Sequence, residues 1–428
     1  AGAQAARAAR SRGTLAACAV LGLCALYAGA GSRAARGAAA WVQQAPPSRA
    51  SARSRSSRRQ LRALGGESEE AQLHGPYPAP RDDVAWKDLG FGLTTKETKV
   101  AITTCPRGGE WSAHRVEPYG PLQMEPAATI LNYGQGVFEG MKAFRTAKGR
   151  IALFRPQMNA RRMASGAERF LMPPVPEELF LSAVSAAVRA NAEWIPPAGD
   201  GEFYLRPLLI GSGGTLGVGP STEFTFVIYG APVGKYFKGG GARMRIEAHH
   251  QRAAPKGVGD VKAAGNYAPC FSAQKEARDA GYSDVIYLDV TGQHIEEAAA
   301  SNFFALGEDG VLRTPALGTI LPGVTRDSVI QLAKRLAASG KGPIREVQEG
   351  EVSLEHILQA KEAFVTGTGA GISPVAHVAL PEGKEVDLEV PGAATKLIQD
   401  ALREIQLELA PDEFGWLWDP FEAMGSSS

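Results

Sequence analysis

Gly257-Val258-Gly259-Asp260-Val261-Lys262-Ala263-Ala264-Gly265-Asn266-Tyr267 sets a single lysine among glycines and small apolar residues. Lysine is seldom fully buried unless it is paired. Desolvation favours its neutral amine, the form able to attack an aldehyde carbon and make a Schiff base. The plainer reading is a solvated lysine whose stem lies along apolar surface. The surrounding sequence weighs between the two.

Two glycine-rich turns are candidates for holding an anion. Leu321-Pro322-Gly323-Val324-Thr325 leads into a helix predicted over 326–338, where Val329, Ile330, Ala333, Leu336 and Ala337 share one face. Backbone N–H groups at a helix start favour a phosphate. Thr366-Gly367-Thr368-Gly369-Ala370-Gly371 follows an apolar strand at 363–365 and offers a second nest of N–H groups. Either alone reads as an ordinary turn. A phosphate also wants a cation, and Arg161 and Arg162 lie on a helix-like stretch after Pro156. Helix neighbours point about 100° apart, so one of the two faces inward, and spacing does not choose.

Glu296-Glu297 stands in an otherwise apolar stretch. On a strand the two point to opposite faces, one into a pocket and the other to water. A carboxylate against a pyridine nitrogen stabilises its protonated, electron-accepting form. In 202–210 the alternation puts Phe203 and Leu205 on one face, Tyr204 and Arg206 on the other. Tyrosine beside arginine suits recognition of a carboxylate; an exposed edge strand is the alternative. Lysine, carboxylate, two cradles and an arginine together describe a pocket for pyridoxal phosphate.

At 428 residues the chain exceeds one core, so two domains plus a tail are expected. A glycine run at 239–241 marks the boundary. It separates a small α/β domain over 67–237 from a large cofactor-binding domain over 249–420, with 238–248 as linker and 421–428 as tail. A further amphipathic helix is predicted over 177–194, from Phe180, Val184, Ala187 and Val188, and strands over 222–229, 244–248, 284–289 and 302–306. The fold class is therefore mixed, α/β and α+β.

Residues 1–63 hold eleven arginines, no lysine and no acid. Of 46 basic residues 35 are then left to face all 45 acidic ones, a formal net charge of −10 on the body. That gives no reason to expect nucleic acid as a partner. An apolar stretch at 15–27, then Ala28-Gly29-Ala30, reads as a signal peptide with its cleavage site. An Ala/Ser/Arg-rich stretch at 33–63 reads as a transit peptide. Residues 1–66 are accordingly a two-part leader addressed to a plastid, a mitochondrion being the alternative. No stable membrane association is expected after the leader is removed. Cys18 and Cys24 fall in the leader; Cys105 and Cys270 make neither a disulfide framework nor a metal set.

From Phe91 to Trp416 the chain resembles the branched-chain amino acid aminotransferases, pyridoxal-phosphate enzymes of fold type IV. The resemblance is carried by the block Asn132-Tyr133-Gly134-Gln135-Gly136-Val137-Phe138-Glu139-Gly140-Met141-Lys142-Ala143-Phe144, by Leu153-Phe154-Arg155-Pro156, by Tyr204-Leu205-Arg206-Pro207, by 262–267 and by Ile320-Leu321-Pro322-Gly323-Val324. It implies two domains with the cofactor between them. It also implies reversible transamination of L-leucine, L-isoleucine and L-valine with 2-oxoglutarate. D-amino-acid aminotransferase and aminodeoxychorismate lyase are alternatives on the same fold. The resemblance assigns Lys262 to the Schiff base and proton transfer, Glu297 to the pyridine nitrogen, and Tyr267 to the phenolic oxygen. Arg162, Val324, Thr325 and Thr368 go to the phosphate. Phe91, Tyr133, Phe138, Tyr204, Arg206, Tyr236, Thr368 and Gly369 go to the substrate. It further implies a homodimer. Where mammalian members carry a Cys-x-x-Cys pair, this chain has Ala370 and Ser373, so thiol switching of that kind is not expected.

Overall fold

The computed structural model describes residues 77–422 apart from 235, 237 and 238. The leader expected over 1–66, Lys238 of the expected linker, and tail residues 423–428 lie outside the described residues.

Seven strands come first: β1 (Lys99–Pro106), β2 (Arg115–Pro118), β3 (Gly136–Phe138), β4 (Met141–Arg145), β5 (Ile151–Phe154), β6 (Glu202–Gly211) and β7 (Glu223–Val233). They pair antiparallel in the order β5-β4-β6-β7-β1-β2, with β3 also on β6. The alternation in β6 holds. Phe203 and Leu205 are fully buried, and Tyr204 and Arg206 lie on the opposite face. Because β6 runs between β4 and β7, the edge-strand alternative is excluded.

Three helices accompany this sheet: α1 (Thr129–Tyr133), α2 (Pro156–Arg169) and α3 (Glu177–Ala190). Proline starts α2, where its missing N–H costs nothing. Glu177 and Glu178 favour the start of α3. The helix predicted over 177–194 stops at Ala190, and a 3₁₀ turn follows at Ala192–Trp194. Asn191 explains the break. Its amide donates to Lys99 O and Ala187 O (both 2.8 Å), and its oxygen accepts from Lys99 N (2.7 Å), tying the chain to β1. Phe180, Val184, Phe203, Leu205 and Phe226 form the core between sheet and helices. Burying each such side chain contributes about 1.5–3 kcal/mol.

The second sheet comprises β8 (Ala242–Glu247), β9 (Asp284–Leu288), β10 (Ile295–Ala298), β11 (Asn302–Gly307), β12 (Val311–Pro315), β13 (Glu346–Gly350), β14 (Ala360–Gly367), β15 (Gly371–Ala379) and β16 (Glu385–Asp387). Its order is β10-β9-β8-β15-β14-β11-β12-β13, with β16 on β15. It is mixed: β8 runs parallel to β9 and β15, and β12 to β13. Its helices are α4 (Phe271–Asp279), α5 (Val324–Ser339), α6 (Leu354–Leu358) and α7 (Ala393–Gln406). Continuous apolar runs mark strands covered on both faces. Phe303 and Ala305 of β11 pack into one core, while Phe304 and Leu306 pack under α5 and α7 with Val329, Ala333 and Ile398. Finally β17 (Leu417–Trp418) returns to pair with β5 of the first sheet.

The two sheets meet along one seam. Val137 and Ala263 form a β-bridge across it, and Arg155 Nη1 reaches Asp327 Oδ2 of α5 at 2.6 Å. The candidate site opens beside that seam.

Candidate active site

Lys262 stands where the chain leaves the bridge at Ala263 for a 3₁₀ turn at Ala264–Asn266. Its carbonyl accepts from Phe138 N at 3.0 Å. Asn266 closes the glycine-rich loop by donating to Val258 O (2.7 Å) and Val261 O (2.9 Å). Small residues are needed there: a Cβ on Gly259 would lie 2.4 Å from both Thr319 O and the Ala253 Cβ. So held, Lys262 Nζ donates to the Tyr267 hydroxyl at 3.0 Å and lies 4.8 Å from the centre of the Phe138 ring. Phe138 and Tyr267 pack edge to face at 4.8 Å.

These groups line a cavity of about 340 Å³, within the usual range for a small-ligand site. Glu297, Arg162, Val324, Thr325, Thr368 and Gly369 also line it. A larger cleft of about 1190 Å³ shares the 367–370 turn but is lined by neither Lys262 nor Glu297, so the smaller one is the candidate site.

The two choices left open by spacing are distinguished by burial. Glu297 is 1% exposed on β10. Its carboxylate pairs with Arg252 Nη1 and accepts from Leu321 N (3.2 Å) and Asn302 Nδ2 (3.1 Å). Burial pushes it up to about 7, against the pull of the Arg252 guanidinium. Glu296 points away and accepts from the Thr319 hydroxyl. Arg162 is buried and Arg161 exposed, the latter paired with Glu177 at 3.1 Å.

Arg162 meets Glu139 side-on, Nε to Oε1 at 2.7 Å and Nη2 to Oε2 at 2.6 Å, and donates from Nη1 to Pro322 O at 2.9 Å. Burial pulls its pKa down, and the Glu139 carboxylate more than offsets this. Both glycine-rich turns border the cavity. Helix α5 begins at Val324 after Gly323, without a side-chain cap on its first N–H groups. The turn after β14 brings Thr368 and Gly369 to the cavity, and Ser373 Oγ donates to Ala370 O at 2.7 Å behind it.

The substrate-facing candidates mostly converge. Phe91 contacts Tyr204 at 5.1 Å and Tyr236 at 4.9 Å, ring centre to ring centre, and lies 3.2 Å from where a Gly369 Cβ would be. Arg206 lies over the Phe138 ring at 4.6 Å and donates to the Tyr204 hydroxyl at 3.4 Å. Burial pulls the Arg206 pKa down, and neighbouring Tyr204 leaves it raised overall. Tyr133 is not among the residues lining this cavity. It lies exposed at the end of α1, donating to Leu216 O at 2.6 Å.

Two buried polar atoms beside the cavity have no protein partner, Thr366 Oγ1 and Arg206 Nε. With the uncapped helix start, they leave donors and acceptors for a phosphorylated, carboxylate-bearing occupant. Sequence reasoning missed Glu139, Arg252, Asn302 and Thr366. Of these Arg252 had a usable signal, a second cation ten residues before Lys262.

Residues 136–378 match the family model of class IV amino-transferases. The chain belongs to that class. It is 41% identical over 339 residues to branched-chain-amino-acid aminotransferase 6 of Arabidopsis thaliana, covering 79% of this chain and 93% of that protein. It is 42% identical over 342 residues to the chloroplastic aminotransferase 2 of the same plant, covering 79% and 86%. Within its class, then, the chain is a member of the branched-chain-amino-acid aminotransferase family. Among solved structures, the branched-chain aminotransferase of the archaeon Thermoproteus uzoniensis with norvaline superposes with a TM-score of 0.63 at 28% identity, covering 75% of this chain and all of that one.

Proposed function

We propose that this chain transfers the amino group of L-leucine, L-isoleucine and L-valine reversibly to 2-oxoglutarate, with pyridoxal 5'-phosphate as cofactor. The observation that carries this is Lys262 Nζ, 3.0 Å from the Tyr267 hydroxyl in the cavity that also holds buried Glu297. Bound there, the cofactor supplies an electron sink for the pair left behind when the substrate Cα loses its proton. Lys262 moves that proton between the substrate Cα and the cofactor C4′. Tyr267 hydrogen-bonds the phenolic oxygen, and Glu297, oriented by Arg252 and Asn302, holds a proton on the ring nitrogen. Arg162, Val324, Thr325 and Thr368 hold the phosphate.

Phe91, Phe138 and Tyr236 take the branched side chain, worth about 0.8 kcal/mol per buried methylene. Arg206 with Tyr204 meets the distal carboxylate of glutamate in the same space. The N–H groups of the 368–370 turn receive the α-carboxylate. The division into domains over 67–237 and 249–420, with the cofactor between them, belongs to this reading; each sheet has its own core, but β8 (Ala242–Glu247), inside the expected linker, is an interior strand of the second sheet, and Val261 and Ala263 pack into the first sheet's core.

The working unit is a homodimer. It is supported by exposed apolar surface at Leu216 and Val218, 92% and 90% exposed, beside Tyr133, whose hydroxyl donates to Leu216 O. The plastid is the compartment, supported by the composition of residues 1–66 and by the chloroplastic relative.

The test is purified protein given L-leucine and 2-oxoglutarate, with glutamate measured. Glutamate is expected, together with visible absorbance from bound cofactor. Lys262→Ala should lose the absorbance and at least about a thousandfold of the turnover. Preference for D-alanine, or release of pyruvate from aminodeoxychorismate, would instead identify one of the two alternatives. Normal turnover with leucine in Lys262→Ala would refute the reading.

A further inference from the structure

Glu139 is 0% exposed, and a buried carboxylate persists only when its oxygens are paired. Its oxygens accept from Arg162 and Gly140, which line the cavity, and from Asn159 behind them. Oε1 takes Arg162 Nε at 2.7 Å. Oε2 takes Arg162 Nη2 at 2.6 Å, Asn159 Nδ2 at 2.8 Å and, more loosely, Gly140 N at 3.3 Å. Asn159 lies on α2 one turn before Arg162, so the same helix supplies both the cation and the amide.

A guanidinium carries five N–H donors in one rigid plane. Glu139 takes two and Pro322 O takes a third, which leaves two. Gripped along its Nε–Nη2 edge, the plane has no freedom to turn. Glu139 is itself pinned, its N–H donating to Pro207 O at 2.7 Å between Phe138, a wall of the cavity, and Gly140. A Cβ on Gly140 would sit 2.1 Å from the Tyr204 hydroxyl, so this bend has little room to shift.

We infer that Glu139 is a positioning residue for phosphate recognition: it fixes the plane of Arg162 so that the two remaining N–H groups face the cofactor phosphate. The inference rests on the reading that Arg162 binds that phosphate. Removing the carboxylate has two opposed effects. It strips a counter-charge from a buried cation, which favours an anion nearby, and it releases the plane to rotate. Glutamine in its place presents an NH₂ group to donors, so one contact turns repulsive and the plane must swing. Orientation therefore outweighs charge.

Wild type, Glu139→Gln and Glu139→Asp, each stripped of cofactor, are titrated with pyridoxal phosphate and with pyridoxal, which lacks the phosphate, following visible absorbance. In Glu139→Gln, affinity for pyridoxal phosphate is expected to fall tenfold or more and affinity for pyridoxal less than threefold. A merely structural role lowers both alike. Equal losses for the two ligands, or unchanged or tighter pyridoxal-phosphate binding, overturn the inference. If the glutamine variant does not fold, the aspartate variant, which keeps the charge but loses reach, carries the same comparison. Failure of the underlying reading looks different: wild type and Arg162→Gln would then share one ratio of the two affinities.

Discussion

Glu297 shows what a single residue's surroundings do to its chemistry. Its carboxyl titrates near 7 instead of the ordinary 4.5 because burial disfavours the charge more than Arg252 restores it. The cofactor-free fold thus favours the protonated form. That stabilisation is fully present below the ordinary carboxylate pKa and is lost as pH rises through about 7. On the order of 3 kcal/mol should therefore disappear across that window in cofactor-free protein. Urea unfolding measured from pH 4.5 to 8 checks this, and Glu297→Gln should flatten the slope; equal slopes would sink the assignment. Arg206 makes a second case, since a buried Nε without a partner beside a cavity is poised for a ligand. Arg206→Met should raise the KM for 2-oxoglutarate roughly tenfold or more, the worth of a charge-assisted hydrogen bond at about 1.5–3 kcal/mol. The KM for leucine should move less than threefold. Comparable rises for both would mean that Arg206 shapes the pocket without reading the distal carboxylate.

Helix α5 is the element on which the proposed phosphate cradle depends. Its apolar face was readable over 326–338, and the helix runs Val324–Ser339, because Gly323 breaks out of helical geometry just before it and Gly340, with φ of 67°, closes it. The tight approach at its start was not readable: a Cβ on Gly323 would lie 2.1 Å from Asn302 Oδ1 of β11. Asn302 also holds Glu297 and Leu321 O, so one amide links both ends of the cofactor site. Gly323→Ala should consequently weaken pyridoxal-phosphate binding at least tenfold in a titration of cofactor-free protein. Retained affinity would show that the helix start relaxes without cost. Strand β6 was legible for a different reason, since a period of two survives whenever one face is core. The end of α3 was not legible, because Asn191 binds β1, a partner 92 residues away in the chain.

The whole molecule adds contacts between distant segments. Arg155, 10% exposed in its side chain, joins the start of α2 to Asp327 of α5, and its guanidinium lies 5.1 Å from the centre of the Trp416 ring. Removing one partner of such a pair strands the other, so Arg155→Ala should cost about 2–3 kcal/mol, less than for a fully buried pair. Chemical denaturation measures it; a loss under about 0.5 kcal/mol would place the pair among surface bridges of little consequence. At the next level, Leu131, Tyr133, Leu216 and Val218 form exposed apolar positions on the first-sheet half. If they join two copies, Leu216→Asp should convert the dimer to monomer in sedimentation while leaving the fold intact. An unaltered sedimentation profile would remove this surface from the interface.

Periodicity, glycine placement and charge distribution were enough to single out the lysine, the two glycine-rich turns beside the cavity, the acidic pair and the mixed fold, because each is a local pattern with a local physical cause. Family resemblance then selected Glu297 over Glu296 and Arg162 over Arg161, choices that spacing left open. What no local pattern carried was the partner of each charge. Glu139 faces Arg162 across 23 positions and Arg252 faces Glu297 across 45. The low-dielectric interior makes those pairings obligatory, yet only tertiary packing within each half brings them within reach, α2 against the bend between β3 and β4 for the first and the segment after β8 against β10 for the second.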